Sequence, residues 1–434
     1  MKKKYLVSEC SAKICGEVVL LGDKSISHRA IILGAISTSI TTISNFLFCE
    51  DCMATLKAFQ QMGVKVEIVQ NKVIIHGVGR LGFKKPNAAI DCGNSGTTMR
   101  LLAGILVGQP FISKLIGDKS LSVRPMDRII KPLKQMGADI SAKNGHAPIL
   151  IKGVDTLTGI TYDELVTSAQ VKSCLLFAGM YAKGETTILE TGHMRDHTER
   201  MLTAFSYPIF KSGCSLTISS KDESPGTNVL VPGDISSAAF FIIAATLIPH
   251  SEIIIKDVGM NPGRIGVIKI LNLMGASIEI VNKKLFGEEP VADIIVRSAS
   301  LEGIDIPSSL VPISIDEFPV IFIAAACASG QTLLHGAKEL RYKESDRIST
   351  MVTGLKELGI DASELDDGVY IRGGKIHGGI VDSCHDHRVA MAFAVAGFVA
   401  SAPVTIKNSD SIATSFPNFI QIANKLQLKI REYQ

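Results

Sequence analysis

The chain has 434 residues, enough for two or three domains, with 46% apolar and 20% charged residues, which excludes a disordered polymer and indicates a well-packed core. A formal net charge of +3, with no Lys/Arg block interleaved with aromatics, argues against a nucleic-acid footprint. The nine cysteines are scattered and odd in number, so the expected setting is a reduced cytoplasm. Neither the start MKKKYLVSECSAK nor any later apolar run suits a signal peptide or a membrane span.

Taken in chain order, the predicted elements repeat. A polar cluster opens a small-residue, apolar helix, followed by a turn and β-rich segments. An amphipathic helix then ends at Gly and leads into a strand. The clusters are Ser27-His28-Arg29, Ser95-Gly96-Thr97, Ser168-Ala169-Gln170, Ser236-Ser237, Asp316-Glu317 and Asp386-His387-Arg388, spaced 68 to 80 residues apart. The apolar runs include CLLFAGMYA, AAFFIIAATLI and VIFIAAACA. The second helix is plain in KAFQQMGVKVEI, KPLKQMGADISA, KILNLMGASIEI and KELGIDAS, and degenerate in TAFSYPIF and NKLQLKI. A repeat of this length is a whole α/β module, and six modules suggest two domains of three.

Three local motifs lead elsewhere. Cys49-Glu50-Asp51-Cys52 has metal-ligand spacing, but no second pair answers it, and Asp51 is expected to cap the helix that follows. Gly77-Val78-Gly79-Arg80-Leu81-Gly82 matches a dinucleotide fingerprint after the strand KVIIH. No helical period follows it, so it reads as a turn. Gly22-Asp23-Lys24-Ser25 ends like a nucleotide loop without the upstream glycine.

The chemistry is expected at the module starts. Helix N-termini carry unpaired N–H groups and a dipole that favours anions. Lys24, Arg29, Arg100, Arg124, Lys343, Arg347 and Arg388 lie in or beside these turns. Three modules about a pseudo-threefold axis would aim several such termini at one face, and two such domains would line a cleft suited to phosphates and carboxylates. Asp316 and Glu344 stand among these cations. Each has a bland reading, a helix cap for Asp316 and a salt-bridged surface residue for Glu344, and a chemical one as proton-transfer groups.

The motifs resemble those of the 5-enolpyruvylshikimate-3-phosphate synthase family from end to end. They are Gly22-Asp23-Lys24-Ser25-Ile26-Ser27-His28-Arg29, Gly93-Asn94-Ser95-Gly96-Thr97-Thr98-Met99-Arg100, Gly117-Asp118-Lys119-Ser120-Leu121-Ser122-Val123-Arg124-Pro125-Met126, Ser168-Ala169-Gln170-Val171-Lys172, Arg195-Asp196-His197-Thr198-Glu199, Asp316-Glu317-Phe318-Pro319, Lys343-Glu344-Ser345-Asp346-Arg347 and Asp386-His387-Arg388. The fourth and fifth look like the bacterial class II branch. The resemblance implies an α/β (α+β) two-domain enolpyruvyl transferase fold, each domain three βαβαββ repeats about a pseudo-threefold axis. Residues 1–21 and 234–434 would form one domain and 22–233 the other, with substrates in the cleft between them.

It also implies the reaction. The enolpyruvyl group of phosphoenolpyruvate would pass to the 5-hydroxyl of shikimate 3-phosphate with release of phosphate, through a tetrahedral intermediate and without metal or cofactor. By the same resemblance, Lys24, Ser25, Arg29, Ser168, Ala169 (backbone), Gln170, Asp316 and Lys343 would hold shikimate 3-phosphate. Lys24, Gly96, Arg124, Gln170, Arg347 and Arg388 would hold phosphoenolpyruvate, and glyphosate would occupy its site. Asp316 would be the base, and Glu344 with Lys24 would deliver the proton to the methylene carbon. A cytoplasmic monomer with only small-molecule partners is expected. The chain departs from the family pattern at Thr414, where Lys is frequent, and at Glu339, where Asn is frequent. Leu101 stands where many relatives have Pro, and Met194-Arg195-Asp196-His197 lacks the Ser-x-x-Tyr of another branch.

Two rivals follow from the same residues. UDP-N-acetylglucosamine enolpyruvyl transferases carry a reactive Cys in a mobile loop, where this chain has Ser120-Leu121 before Arg124-Pro125-Met126. A non-catalytic anion-binding protein would be expected to lose Asp316 or Glu344, and both are present.

Overall fold

A computed structural model describes residues 5–166, 168–190, 194–221 and 223–433, with the backbone alone at 164–166. The chain forms two compact units. One comprises Met1–Leu20, Gly233–Lys284 and Pro290–Gln434; the other comprises Leu21–Pro232 and Leu285–Glu289. Each has its own apolar core.

Twelve helices carry the six modules in pairs: α1 (Lys24–Ile36) and α2 (Glu50–Gln61), α3 (Gly96–Leu106) and α4 (Asp127–Gln135), α5 (Ala169–Gly179) and α6 (His197–Ala204), α7 (Ile235–Leu247) and α8 (Gly266–Leu273), α9 (Phe318–Cys327) and α10 (Arg347–Glu357), α11 (His387–Gly397) and α12 (Phe419–Lys425). The first of each pair is buried almost all round, as its unbroken apolar sequence requires. Side chains at the module starts cap several of them. Asp23 accepts from the Ile26 N–H, Ser95 from Thr98, Asp234 from Ser236, and Asp386 from Arg388 and Val389.

The second helix of each pair buries one stripe and stops in a common way. The backbone N–H groups of Val64, Ala138, Tyr207, Ala276, Ile360 and Leu428 each reach back five residues to a carbonyl in the last helical turn. This closure needs a left-handed residue just before. Gly63, Gly137, Gly275 and Gly359 supply it with φ between +83° and +94°, whereas Ser206 (φ 57°) and Gln427 (φ 64°) supply it in the two degenerate copies.

The sheets repeat one pattern, in which a parallel pair continues into an antiparallel hairpin. In the unit built on residues 21–232, strand 228–230 lies parallel to 40–44, which runs antiparallel to 72–76 and then 65–69. The next two sheets follow suit, 90–91 with 113–116, 146–152 and 139–143, and 161–166 with 185–190, 215–219 and 209–212. In the other unit, 15–19 lies parallel to 252–259, which pairs with 289–297 and it with 277–286. Strands 331–334, 368–372 and 361–365 form a sheet whose parallel neighbour is reduced to isolated bridges, Glu302 to Ser329 and Asp305 to Leu333. In the last sheet, strand 5–9 from the start of the chain sits between 404–407 and 429–433, antiparallel to both, and 379–382 lies parallel to 404–407. This mixed α/β architecture, with each module presenting a buried-helix N-terminus, places the polar clusters.

Candidate active site

In the unit built on residues 21–232, the clusters of α1, α3 and α5 join through side-chain bonds. Lys24 is the first residue of α1, and its Nζ lies 3.0 Å from Asp51 Oδ2. Asp51 was expected to cap α2, but the capping position is Cys49, which makes no side-chain capping bond. Asp51 lies in the first turn instead, where its carboxylate is free to pair with Lys24. The Asp51 carbonyl accepts from Thr98 Oγ1 at 3.3 Å, and Thr98, Thr55 and His28 Nδ1 follow one another at 2.7 Å. His28 is fully buried, and burial, reinforced by Lys24 and Arg29, pushes its pKa well below the usual imidazole value, so it is neutral.

Gln170 bridges α3 and α5. Its Oε1 accepts from Arg100 Nη1 at 2.6 Å, and its Nε2 donates to Thr97 Oγ1 at 2.9 Å. Arg124 donates to Asn94 Oδ1 at 2.8 Å and to Ser120 Oγ at 3.3 Å. Gly96 opens α3 directly under these cations. A Cβ added there would stand 2.8 Å from Arg100 Nη1 and 3.4 Å from Arg124 Nη1. Only glycine leaves the N-terminal N–H groups of α3 open beneath two guanidiniums. Ser168 is the N-cap residue of α5 and spends no side-chain bond on the cap.

Arg29 is differently placed. It is 4% exposed, and its three guanidinium nitrogens donate to Thr198 Oγ1 (2.6 Å), the Ser25 carbonyl (2.9 Å) and Ser173 Oγ (2.7 Å). Burial, with Arg195 nearby, outweighs Glu199, Asp23 and Glu289 and pulls its pKa down to about 10, still cationic at neutral pH. Arg29 thus ties the Lys24-Ser25 turn to Thr198 of the Arg195–Glu199 motif and to Ser173, beside the Ser168–Lys172 motif. Those motifs also lock to each other. Lys172 Nζ lies 2.7 Å from Glu190 Oε2 and 2.5 Å from Glu199 Oε1, with all three side chains nine-tenths buried or more. Lys211 adds a second cation 2.6 Å from Glu190 Oε1. Burial pushes the Glu199 carboxyl above its usual pKa, whereas at Glu190 Lys172 and Lys211 overcome burial and hold it below. His197 Nδ1 meets Glu289 at 2.7 Å.

The other unit holds the second cluster. Asp316 Oδ1 lies 3.7 Å from both Lys343 Nζ and Arg347 Nη1. Arg347 is 1% exposed; its Nη2 donates to Glu344 Oε2 at 2.6 Å and its Nε to Asp386 Oδ2 at 2.8 Å. Burial alone would lower its pKa, but Asp386, Glu344 and Asp316 together raise it, so this cation is permanent. Arg388 Nη1 donates to the Asp316 carbonyl at 3.0 Å. Asp316 does not cap α9: the capping position is Glu317, which makes no capping bond, so the Asp316 carboxylate remains turned to the cations. Glu344 is not a surface ion pair but part of this partly enclosed cluster, 19% exposed.

Asp316, Lys343, Glu344, Arg347 and Arg388 are therefore brought together in one unit. Lys24, Ser25, Arg29, Gly96, Arg124, Ser168, Ala169 and Gln170 lie in the other. Glu190, Ser173 and Arg264 escaped the sequence reading, while Asp51 was read as a helix cap and Glu317 only as part of its polar cluster. Arg264, in the turn Asn261-Pro262-Gly263-Arg264, carried the same Gly/Pro-plus-cation signal as the recognised clusters. Thr414 donates to the Ser411 carbonyl at 2.7 Å, and Leu101 is fully buried in α3. Among the described residues there is no group of three or more His, Cys, Asp or Glu placed to hold a metal ion. No described helix is long and apolar enough to cross a membrane.

The chain is similar to known proteins over nearly its whole length. Residues 9–422 match the family described as EPSP synthase (3-phosphoshikimate 1-carboxyvinyltransferase). The 3-phosphoshikimate 1-carboxyvinyltransferase of Legionella pneumophila (strain Philadelphia 1) is 59% identical over 419 residues, covering 96% of this chain and 97% of that protein. The Coxiella burnetii (strain RSA 493) protein of the same name is 51% identical over 423 residues, covering 97% of each. A solved EPSP synthase structure from Acinetobacter baumannii superposes with a TM-score of 0.89 at 47% identity, covering all of both chains.

Proposed function

Because the chain belongs to the EPSP synthase (3-phosphoshikimate 1-carboxyvinyltransferase) family, we propose that its two polar clusters act on one pair of substrates. The enzyme transfers the enolpyruvyl group of phosphoenolpyruvate to the 5-hydroxyl of shikimate 3-phosphate and releases phosphate. The observation that supports the site best is the convergence of Asp316, Lys343, Glu344, Arg347 and Arg388, two carboxylates held among three basic side chains.

Shikimate 3-phosphate is held by Lys24, Ser25, Ser168, the Ala169 backbone, Gln170, Asp316 and Lys343. Arg29 serves that pocket chiefly by fixing the Ser25 carbonyl. Phosphoenolpyruvate is held by Lys24, Gln170, the N–H groups at Gly96, Arg124, Arg347 and Arg388, with arginine forks suited to carboxylate and phosphate. In the addition step, Asp316 accepts the 5-hydroxyl proton as its oxygen bonds to C2 of phosphoenolpyruvate, and Glu344, with Lys24, supplies a proton to C3. In elimination, C3 returns a proton and the C2–O bond to phosphate breaks. Oxidation states are unchanged overall, so the atoms balance without a redox partner. The enzyme works as a cytoplasmic monomer on small molecules, without a cofactor, and the two units described above are its two domains.

The test is phosphate release from phosphoenolpyruvate. It is expected with shikimate 3-phosphate and not with UDP-N-acetylglucosamine. Release with neither acceptor, or with the UDP-sugar alone, overturns the assignment.

A further inference from the structure

The Ser236-Ser237 cluster at the start of α7 has no part in the reaction above, yet it is wired to residues that do. Glu317 is 1% exposed, and its Oε1 accepts a hydrogen bond from Ser236 Oγ. The same oxygen lies 3.9 Å from Arg264 Nη2 and 3.6 Å from Arg388 Nη1. Arg264 Nη2 in turn donates to Ser236 Oγ at 2.6 Å and to Asp234 Oδ1 at 3.2 Å, so the α7 capping residue anchors the network. Arg388 Nη1 is committed inward, donating to the Asp316 carbonyl at 3.0 Å beside the Glu317 carboxylate. Its Nε and Nη2 have no protein acceptor among the described residues.

We propose that Glu317 is a positioning residue: by holding Arg388 through Nη1, it presents the Nε–Nη2 edge of that guanidinium to the anionic groups of phosphoenolpyruvate. The inference rests on the reading that Arg388 binds this substrate. A two-pronged arginine contact depends on orientation as well as charge, and an arginine free to rotate forfeits the second prong. Glu317 is also the direct chain neighbour of Asp316, so one buried carboxylate steadies both the substrate fork and the peptide carrying the base. A purely electrostatic view makes the opposite prediction. Removing a negative charge beside an anion site would tighten phosphoenolpyruvate binding.

The experiment is steady-state kinetics on the full chain with phosphoenolpyruvate varied at saturating shikimate 3-phosphate, together with calorimetric binding of shikimate 3-phosphate alone. Glu317→Gln is expected to raise KM for phosphoenolpyruvate about tenfold, with kcat and shikimate 3-phosphate affinity changed less than about threefold. Glu317→Asp, which keeps the charge, should recover part of the loss. Arg388→Lys, which removes the fork, should raise the same KM, and adding Glu317→Gln to it should cost little more. If Arg388→Lys raises KM and Glu317→Gln leaves it unchanged or lowers it, the Glu317 assignment alone is overturned. If Arg388→Lys itself leaves KM unchanged, the placement of Arg388 fails and the inference with it. An equal loss of kcat, both affinities and thermal midpoint in Glu317→Gln would mark a merely structural residue and also overturn the proposal. Should Glu317→Gln not fold, Ser236→Ala, which withdraws the donor to Oε1, is expected to raise KM about threefold, and no rise there refutes the inference.

Discussion

Replacing Lys172 with Met keeps the apolar stem and removes the cation between Glu190 and Glu199. Glu190 retains Lys211 at 2.6 Å, whereas Glu199 has no second cation within ion-pairing distance among the described residues. The cost therefore falls on one buried carboxylate, which is 8% exposed as a residue. Glu199 can escape its charge only by taking a proton. From an unfolded pKa of 4.5, protonation at pH 7 costs about 1.4 kcal/mol for each pH unit, or about 3 kcal/mol. That sits at the lower edge of the 3–5 kcal/mol typical of broken buried pairs, and corresponds to a thermal midpoint roughly 6–12 °C lower. The sign with pH follows from the raised folded pKa. The folded state binds the proton more readily than the unfolded one, so stability is lost as pH rises above 4.5 toward the folded pKa. Lys172→Met raises that folded pKa further, so its deficit against the wild type, which bears part of the same cost, should shrink to no more than about 1.4 kcal/mol at pH 5.5. Urea unfolding of wild type and variant at the two pH values measures this, and Lys172→Met/Glu199→Gln should recover most of the loss. A deficit below about 1 kcal/mol at pH 7, or one equal at both pH values, refutes the reasoning.

Asp316→Asn should bind shikimate 3-phosphate but lose about 10²–10⁴-fold in kcat, and Glu344→Gln should do likewise by slowing proton delivery to C3; near-wild-type turnover in either returns that residue to a structural role. Gly96→Ala should fold normally, because its methyl meets the movable Arg100 guanidinium at 2.8 Å, but it should weaken glyphosate more than phosphoenolpyruvate. Inhibition and Michaelis constants compared across the two proteins decide this, since equal losses would remove the steric argument. Ser206→Gly and Gln427→Gly should each stabilise the chain by about 0.5–1 kcal/mol in the same unfolding assay, as both exposed residues hold positive φ.

The module pattern was legible because it is local. Apolar helices, their capping residues and the terminal glycines act over a few residues, and even the degenerate copies closed their helices with Ser206 and Gln427 in the left-handed region. The cations proposed for the site were legible for the same reason, most of them standing in or beside a glycine- or serine-rich turn. Their partners were not. Asp51 lies 27 residues from Lys24, and its local chemistry suggested a cap. Arg264 meets Ser236 and Asp234 across 28 and 30 residues, and Ser236 meets Glu317 across 81. Such pairs are set by how modules pack, and module packing leaves no periodic signature in the chain. Asp316 shows the limit within one turn, where a single-residue shift of the helix start, to Glu317 as capping position, separates a capping carboxylate from one turned to cations.

Strand 5–9, lodged between 404–407 and 429–433, also sets an order of assembly on the ribosome. Residues 21–232 emerge as one uninterrupted stretch holding nearly all of their own unit, and can close their three sheets early. The strand made before them has neither neighbour until the chain has grown from residue 9 to residue 404, roughly 20–80 s at about 5–20 residues per second. Through that interval it trails as an unpaired ribbon whose Leu6 is destined for the core. A chain cut short before residue 404 would keep that ribbon permanently unmatched on both sides, a template for association with other chains rather than a merely shortened enzyme.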